Sequence, residues 1–236
     1  ASLLGWRPRR DIVASRLSGG TRQKLNVVLA ELDREVINMA REWLPAVHRG
    51  AFDDPRLDVC LGDGRAFVEG CQAQFDQIVL DLTDPFGPAV ALYTRDFYRA
   101  CQRALKPGGV LSLHVQSPIP RGEVMARIVA SLQSVFGVVR PYLQYVPLYG
   151  TLWAMAMASD VHDPLALSAV EVDARLKQNG LQDLKLYSGI THQALLALPP
   201  FVQTLLAAPA QPIDDGEALD DPSLAQGLGP LQLVAG

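Results

Sequence analysis

Between residues 25 and 159 the chain alternates two kinds of hydrophobic pattern. Short dense apolar runs read as buried strands; stretches with apolar residues every three or four positions read as amphipathic helices. Residues 25–32 are apolar and β-branched, a buried strand. Asp33 follows as a helix cap, and Val36, Ile37, Ala40, Trp43 and Leu44 recur at helical spacing until Pro45 closes the segment. Residues 57–61 form a second short strand, with a helix expected over 65–74. Residues 76–82 are apolar apart from Gln77 and give a third strand. Phe97, Tyr98, Cys101, Ala104 and Leu105 mark a helix capped by Thr94. Lys106-Pro107-Gly108-Gly109 reads as a turn before a strand over 110–115. Met125, Ile128, Val129, Leu132, Val135 and Phe136 form another helical stripe, and two last strands fall at 138–146 and 151–158.

Continuous apolar strands separated by amphipathic helices predict an α/β fold: a doubly wound, mostly parallel sheet covered on both faces. The last two strands follow each other without a helix and predict an antiparallel hairpin at one edge. The combination is that of a methyltransferase-like (Rossmann-like) domain. Beyond Asp163 helical patterns at 164–178 and 192–207 predict a helical C-terminal appendage. The organisation expected is an N-terminal remnant over 1–24, a catalytic domain over 25–160, the appendage over 161–210 and an acidic, mobile tail over 211–236.

Composition narrows the function. The 236 residues are 49% hydrophobic and 19% charged, with a formal charge of −4, which suits a globular protein and argues against a nucleic-acid partner. The tail holds Asp214, Asp215, Glu217, Asp220 and Asp221 without Lys or Arg, which reads as a solvated end. No apolar run is long enough for a membrane span and no signal-peptide pattern is seen. Cys60, Cys71 and Cys101 have no metal spacing and sit in apolar stretches; they read as reduced core residues of a cytoplasmic protein. The four histidines are scattered, so no metal site is expected.

Acids recur where strands end: Glu31 after the first, Asp63 within Gly62-Asp63-Gly64 after the second, Asp81 and Asp84 after the third. Ligands of open α/β sheets bind outside the carboxyl ends of the strands, so these acids predict one carboxylate-lined cleft suited to a cation. Glu31 is placed to accept the hydroxyls of a ribose, against the alternative of a surface acid before a helix. Asp63 can accept from an adenine amine while Gly64 lets the backbone approach a flat ligand, although Gly-Asp-Gly is also an ordinary turn. Asp81 closes an apolar run, where a carboxylate is costly unless it is paired or opens to a cleft. Asp84 lies in a loop stiffened by Pro85 and Pro88, where it could equally cap a turn. Two close carboxylates can hold a cationic amine and take its proton.

Beyond the chemistry of single residues, a set of motifs resembles the spermidine synthase family of polyamine aminopropyltransferases. The set is Gly50-Ala51-Phe52-Asp53-Asp54-Pro55-Arg56, Gly62-Asp63-Gly64, Asp81-Leu82-Thr83-Asp84-Pro85-Phe86-Gly87-Pro88-Ala89, Leu92-Tyr93 and Phe97-Tyr98, in that order. Within it the Asp-x-x-Asp-Pro-x-Gly-Pro element is the most specific. The resemblance implies transfer of an aminopropyl group from decarboxylated S-adenosylmethionine, a co-substrate, to a di- or polyamine such as putrescine, with release of methylthioadenosine and no prosthetic group. It implies Asp81 as general base, Asp84 and Tyr149 as amine-binding residues, and Glu31, Asp63 and Gly64 on the nucleoside. It also implies a homodimer whose partners are small molecules: an amine and a sulfonium nucleoside.

Two departures stand beside the resemblance. The family carries a Gly-Gly-Gly-Asp-Gly-type loop before the strand of Glu31, whereas here Ser18-Gly19-Gly20-Thr21-Arg22 is followed within ten residues by Glu31. That is too short for the usual helix and strand: either part of the chain is missing from this stretch, which is the reading favoured, or the chain is a truncated or divergent relative. His114 stands where the family has a glutamine. Two alternatives stay open: an S-adenosylmethionine-dependent methyltransferase on the same fold, and a non-catalytic relative that binds a polyamine or a nucleoside, or only dimerises.

Overall fold

A computed structural model describes residues 27–31 and 33–219. The glycine-loop remnant at 18–22 and the tail beyond 219 lie outside the described residues. In chain order the elements are β1 Val27–Glu31, α1 Arg34–Trp43, α2 Pro45–His48, β2 Leu57–Leu61, α3 Gly64–Glu69, β3 Phe75–Leu80, α4 Arg95–Ala104, β4 Leu105–Gln116, α5 Gly122–Gln133, β5 Val138–Val146, β6 Thr151–Ser159, α6 Ala169–Gln178, α7 Gly189–Leu196 and α8 Pro200–Ala207. Short 3₁₀ segments occur at Ala51–Asp53, Gly87–Leu92 and Pro164–Ala166.

Local chemistry sets most boundaries. Asp33 caps α1 by accepting from Glu35 N at 2.8 Å, and Thr94 caps α4 by accepting from Phe97 N at 3.3 Å. Pro45 ends α1 and opens α2 at its first position, where the missing N–H costs nothing. Where one helix was expected over 192–207, Pro199 and Pro200 divide it into α7 and α8, because proline has no N–H to give an upstream carbonyl. The turn expected at 106–109 is a bulge inside β4. Phe75 pairs with Leu105 and Gln77 already with Val110, so the intervening residues of β4 loop out of the ladder. Gly108 has φ +78°, and a Cβ on Gly109 would stand 2.9 Å from Leu105 Cβ, so both glycines are needed.

The described residues form two compact units. One unit comprises the chain up to Phe67 with Leu165–Ala194. Its sheet is the parallel pair β1–β2, in register from Val27 opposite Leu57 to Glu31 opposite Leu61. Here Ser168 and Glu171 form a capping box on α6, and Asp173 of α6 accepts from Gly189 N of α7 at 2.7 Å.

The other unit, Val68–Pro164 with the chain from Leu195, holds a four-stranded sheet in the order β3-β4-β6-β5. β3 and β4 are parallel, while β4–β6 and β6–β5 are antiparallel, giving the hairpin expected at the edge. Alternation gives this sheet two unlike faces. Ile78, Leu80, Leu111, Leu113, Ala154, Ala156, Ala158, Val139 and Leu143 share one face and are buried. α4 and α5 pack against the sheet and each other, with Tyr98, Met125, Ile128 and Leu132 fully buried between the layers. Val79, Ser112, His114, Trp153 and Met155 project from the opposite face. β3 was expected as a strand buried on both sides; Val79 is 65% exposed, so only one side is covered within this unit.

The start of the acidic tail, as far as Leu219, makes specific contacts with the sheet's helices. Ile213 is fully buried, its N–H donates to Ser131 Oγ at 2.8 Å and its carbonyl accepts from Arg95 N at 2.8 Å. Asp214 pairs with Arg95 at 2.5 Å, Asp215 accepts from Thr94 Oγ1 at 2.6 Å, and Glu217 pairs with Arg127. Those partners come from α4, its cap and α5, so their placement depends on the fold and not on the composition of the tail.

Candidate active site

The uncovered face of the four-stranded sheet lines a cavity of about 1120 Å³. Its floor follows from strand alternation: Val79 on β3, Ser112 and His114 on β4, Gln144 and Val146 on β5, Trp153 and Met155 on β6. Asp81, Thr83 and Asp84 join it where β3 ends, Pro120 and Arg121 where α5 begins, and Tyr149 and Thr151 from the β5–β6 turn. Asp81 and Asp84, paired by spacing in the sequence, therefore share one cavity. Tyr149 joins them, its ring centroid 4.8 Å from that of Trp153. Carboxylates and aromatic rings lining one cavity make a setting that favours a cation.

The backbone that presents Asp81 is held from behind. His114 Nε2 is 2.8 Å from the carbonyl of Leu82. A carbonyl only accepts, so Nε2 carries a proton; the other ring nitrogen is Nδ1. That atom is buried and has no partner among the described residues. Tyr93 donates its phenolic proton to Thr83 O at 2.7 Å and lies 2.9 Å from His114 Nε2. Burial, then the charges of Asp84 and Asp81, pushes the Tyr93 phenol well above its ordinary pKa, so it stays a donor. Tyr93→Phe should lower stability by about 0.5–1.5 kcal/mol, because the hydrogen bond from the buried Tyr93 hydroxyl to the Thr83 carbonyl is lost. Urea titration measures that loss. Turnover should fall with it, since the same bond fixes the segment between Asp81 and Asp84.

Asp84 is engaged through both oxygens. Gln116 Nε2 donates to Oδ1 at 2.9 Å and Arg121 Nη1 pairs with Oδ2 at 2.7 Å. Partial burial works against the ionised form. The hydrogen bonds from Gln116 and Arg121, with the arginine charge, outweigh it and hold the carboxyl below the usual range. Gln116 is fully buried in the left-handed region at φ +78°, where the β4–β6 register shifts after His114. A non-glycine residue there carries about 1–3 kcal/mol of backbone strain.

Glu31, Asp63 and Gly64 lie in the first unit. Glu31 ends β1; its backbone carbonyl accepts from Gly62 N at 2.9 Å, so the loop carrying Asp63 starts beside it. Asp63 Oδ1 accepts from Arg65 N at 2.8 Å, capping α3, which is the turn-and-cap role its sequence also allowed. The sequence thus places its acids in two pairs, Glu31 with Asp63 at the ends of the neighbouring strands β1 and β2, and Asp81 with Asp84 after β3. Gln116 and Arg121 were missed. The polar alternation His114–Gln116 at the end of an apolar strand marked the glutamine. Arg121 had no such signal, since its partner Asp84 is 37 residues away. Among the described residues no group of three or more His, Cys, Asp or Glu could hold a metal ion, and no helix is long and apolar enough to cross a membrane.

A one-sided α/β sheet whose cavity holds carboxylates at a strand end together with aromatic side chains has the layout of a methyltransferase-like fold with a small-molecule site. The chain matches the spermine/spermidine synthase domain over residues 22–167 and belongs to the spermine/spermidine synthase family of polyamine aminopropyltransferases. It is 71% identical to a polyamine aminopropyltransferase of Nitrosomonas europaea over 96% of this chain and 72% of that protein. It is 38% identical to polyamine aminopropyltransferase 2 of Hyperthermus butylicus over 85% of this chain and 68% of that one. Among solved structures, spermidine synthase in complex with the transition-state analogue AdoDATO matches with a TM-score of 0.70 at 34% identity. Spermidine synthase from Thermotoga maritima matches at 0.68 and 33%. The chain covers 61% and 60% of those two structures, and 77% of its own length is matched in each.

Proposed function

We propose that the protein moves the aminopropyl group of decarboxylated S-adenosylmethionine to a diamine, with putrescine as the acceptor, releasing methylthioadenosine. The observation that carries this reading is the placing of Asp81 and Asp84 in one aromatic-lined cavity of a chain from this family. Asp81 takes a proton from the attacking amine. The amine nitrogen then bonds to the carbon next to the sulfonium, the carbon–sulfur bond breaks, and its electron pair leaves with sulfur as a neutral thioether. With so good a leaving group, positioning and amine deprotonation supply most of the acceleration. Glu31 holds the ribose, Asp63 the adenine amine, and Gly64 lets the backbone lie against the base. Asp84 and Tyr149 hold the acceptor. An acidic site also favours the decarboxylated donor, because the carboxylate of S-adenosylmethionine would meet like charge. The reading includes a cytoplasmic homodimer, on family likeness.

Mass-spectrometric product analysis tests it. The full chain is incubated with decarboxylated S-adenosylmethionine and a panel of di- and triamines, with S-adenosylmethionine as a parallel donor. Methylthioadenosine with an acceptor longer by one aminopropyl unit is the expected outcome. A methylated product from the parallel donor would assign the chemistry to a methyltransferase. No product from either donor would favour a binding role.

A further inference from the structure

The acceptor cavity holds a guanidinium as well as carboxylates. Arg121 lines it together with Asp84. Three groups close a ring there: Gln116 Nε2 to Asp84 Oδ1 at 2.9 Å, Arg121 Nη1 to Asp84 Oδ2 at 2.7 Å, and Arg121 Nη1 to Gln116 Oε1 at 3.3 Å. The arginine is built into this position. It is the N-cap residue of α5, its N–H donates to Ser117 O at 3.3 Å, and its guanidinium lies 4.7 Å over the Phe86 ring. Its side chain is 19% exposed, against 45% for that of Asp84. Gln116 is fully buried and held by its left-handed backbone, so its amide is a fixed rather than a roving donor. Asp84 therefore differs from Asp81. Asp81 faces the cavity at a strand end, whereas Asp84 already has a cationic partner of the protein's own.

We propose that Arg121 is a specificity-determining residue which, aligned by Gln116, occupies Asp84, so that the non-reacting ammonium of an acceptor reaches this carboxylate only by displacing the guanidinium. The inference rests on reading this cavity as the amine site. It follows from charge: one amine of the acceptor must be neutral to attack, and the other end of a short diamine remains an ammonium that seeks a carboxylate. Two cations cannot share Asp84 without repelling each other, so Arg121 imposes a penalty on every acceptor that places its second charge there. Acceptors long enough to carry that charge past Asp84 escape the penalty. Gln116 is a positioning residue: it orients the carboxylate toward the arginine.

The test is Arg121→Met in the full chain, which keeps the unbranched stem and the packing on Phe86 and removes the charge. Arg121→Gln serves as a second variant, retaining a hydrogen-bond donor if the first proves poorly folded. The KM for putrescine should fall about fivefold in either variant, the scale of one partly exposed ion pair, with kcat moving less than KM. Spermidine, tried as an acceptor, should show a smaller gain. Calorimetric titration of putrescine into each protein gives a readout independent of turnover and should show the same tightening. If the wild type proves inactive with every amine while the variants still bind putrescine more tightly, the functional reading fails and the clamp stands. An unchanged or raised KM and dissociation constant, or no putrescine binding by any of the proteins, would overturn it. A clamp that merely organised the cavity would weaken binding when cut, the opposite sign.

Discussion

Asp81→Asn should reduce kcat by about 10²–10⁴-fold, the contribution of a positioned general base, and leave the thermal midpoint close to that of the wild type. The physical grounds are local. Asp81 is exposed at the end of β3 and lines the cavity. The backbone that follows it is fixed by other residues, through His114 to Leu82 O and Tyr93 to Thr83 O. Asparagine keeps the shape and can still accept a hydrogen bond from an amine, but it cannot take the proton. Steady-state kinetics with putrescine, paired with a melting curve, separates the two effects. A variant with near-normal turnover would remove Asp81 from the chemistry, whereas lost turnover with a collapsed melting point would show a structural residue instead. Because the attacking amine must lose a proton in either case, raising the pH should recover part of the lost rate as more of the acceptor becomes neutral in solution.

Glu31→Gln is expected to act on binding rather than on the chemical step. A carboxylate that accepts two ribose hydroxyls makes charge-assisted hydrogen bonds worth about 1.5–3 kcal/mol each. The amide keeps one acceptor oxygen and turns the other position into a donor. Affinity for methylthioadenosine should therefore drop by about 10- to 100-fold, which a calorimetric titration resolves directly. Glu31 ends β1, where its backbone holds Gly62 by a carbonyl bond that the substitution leaves in place. Its side chain also accepts from Asp33 N at 3.2 Å through Oε1, a contact that glutamine can keep. An unchanged dissociation constant would take Glu31 out of the nucleoside site. A similar fall for Asp63→Asn would need care, since Asp63 also caps α3, and asparagine, a good cap in its own right, keeps that function. The Asn variant is thus the fair test at this position, and alanine is not.

The contrast between the two acids of the cavity governs how such results are read. The carboxyl of Asp84 is held below the usual range by Gln116 and Arg121 in spite of its partial burial. Its ionised form is favoured in the folded protein, so what it contributes is present above its unfolded value and is lost as the pH falls through the folded one. At neutral pH it remains charged. A loss of activity on the acid side near neutrality is accordingly not to be traced to Asp84.

Much of this was legible along the chain. The strand runs and helical stripes determined which segments became β1 to β6 and which became helices, because apolar periodicity is a property of neighbours in sequence. Asp33 and Thr94 were readable as caps for the same reason, since each bonds a backbone N–H two or three residues on. The Asp-x-x-Asp-Pro-x-Gly-Pro run determined that two carboxylates would stand close together at one strand end. What lay beyond reach depended on pairings made across the fold. Only the ladder order β3-β4-β6-β5 left one sheet face without helices in its own unit and turned it into a cavity floor. Only packing decided that Pro199 and Pro200 would start a helix resting on α5, with Leu205 against Gly122, and that acids at 214–217 would find arginines of α4 and α5. The same holds for the difference between Asp81 and Asp84. They are three positions apart and alike in the sequence. Coulombic and hydrogen-bond energies depend on distances in space, and the glutamine and arginine that set them apart come from a strand end and a helix start more than thirty residues downstream.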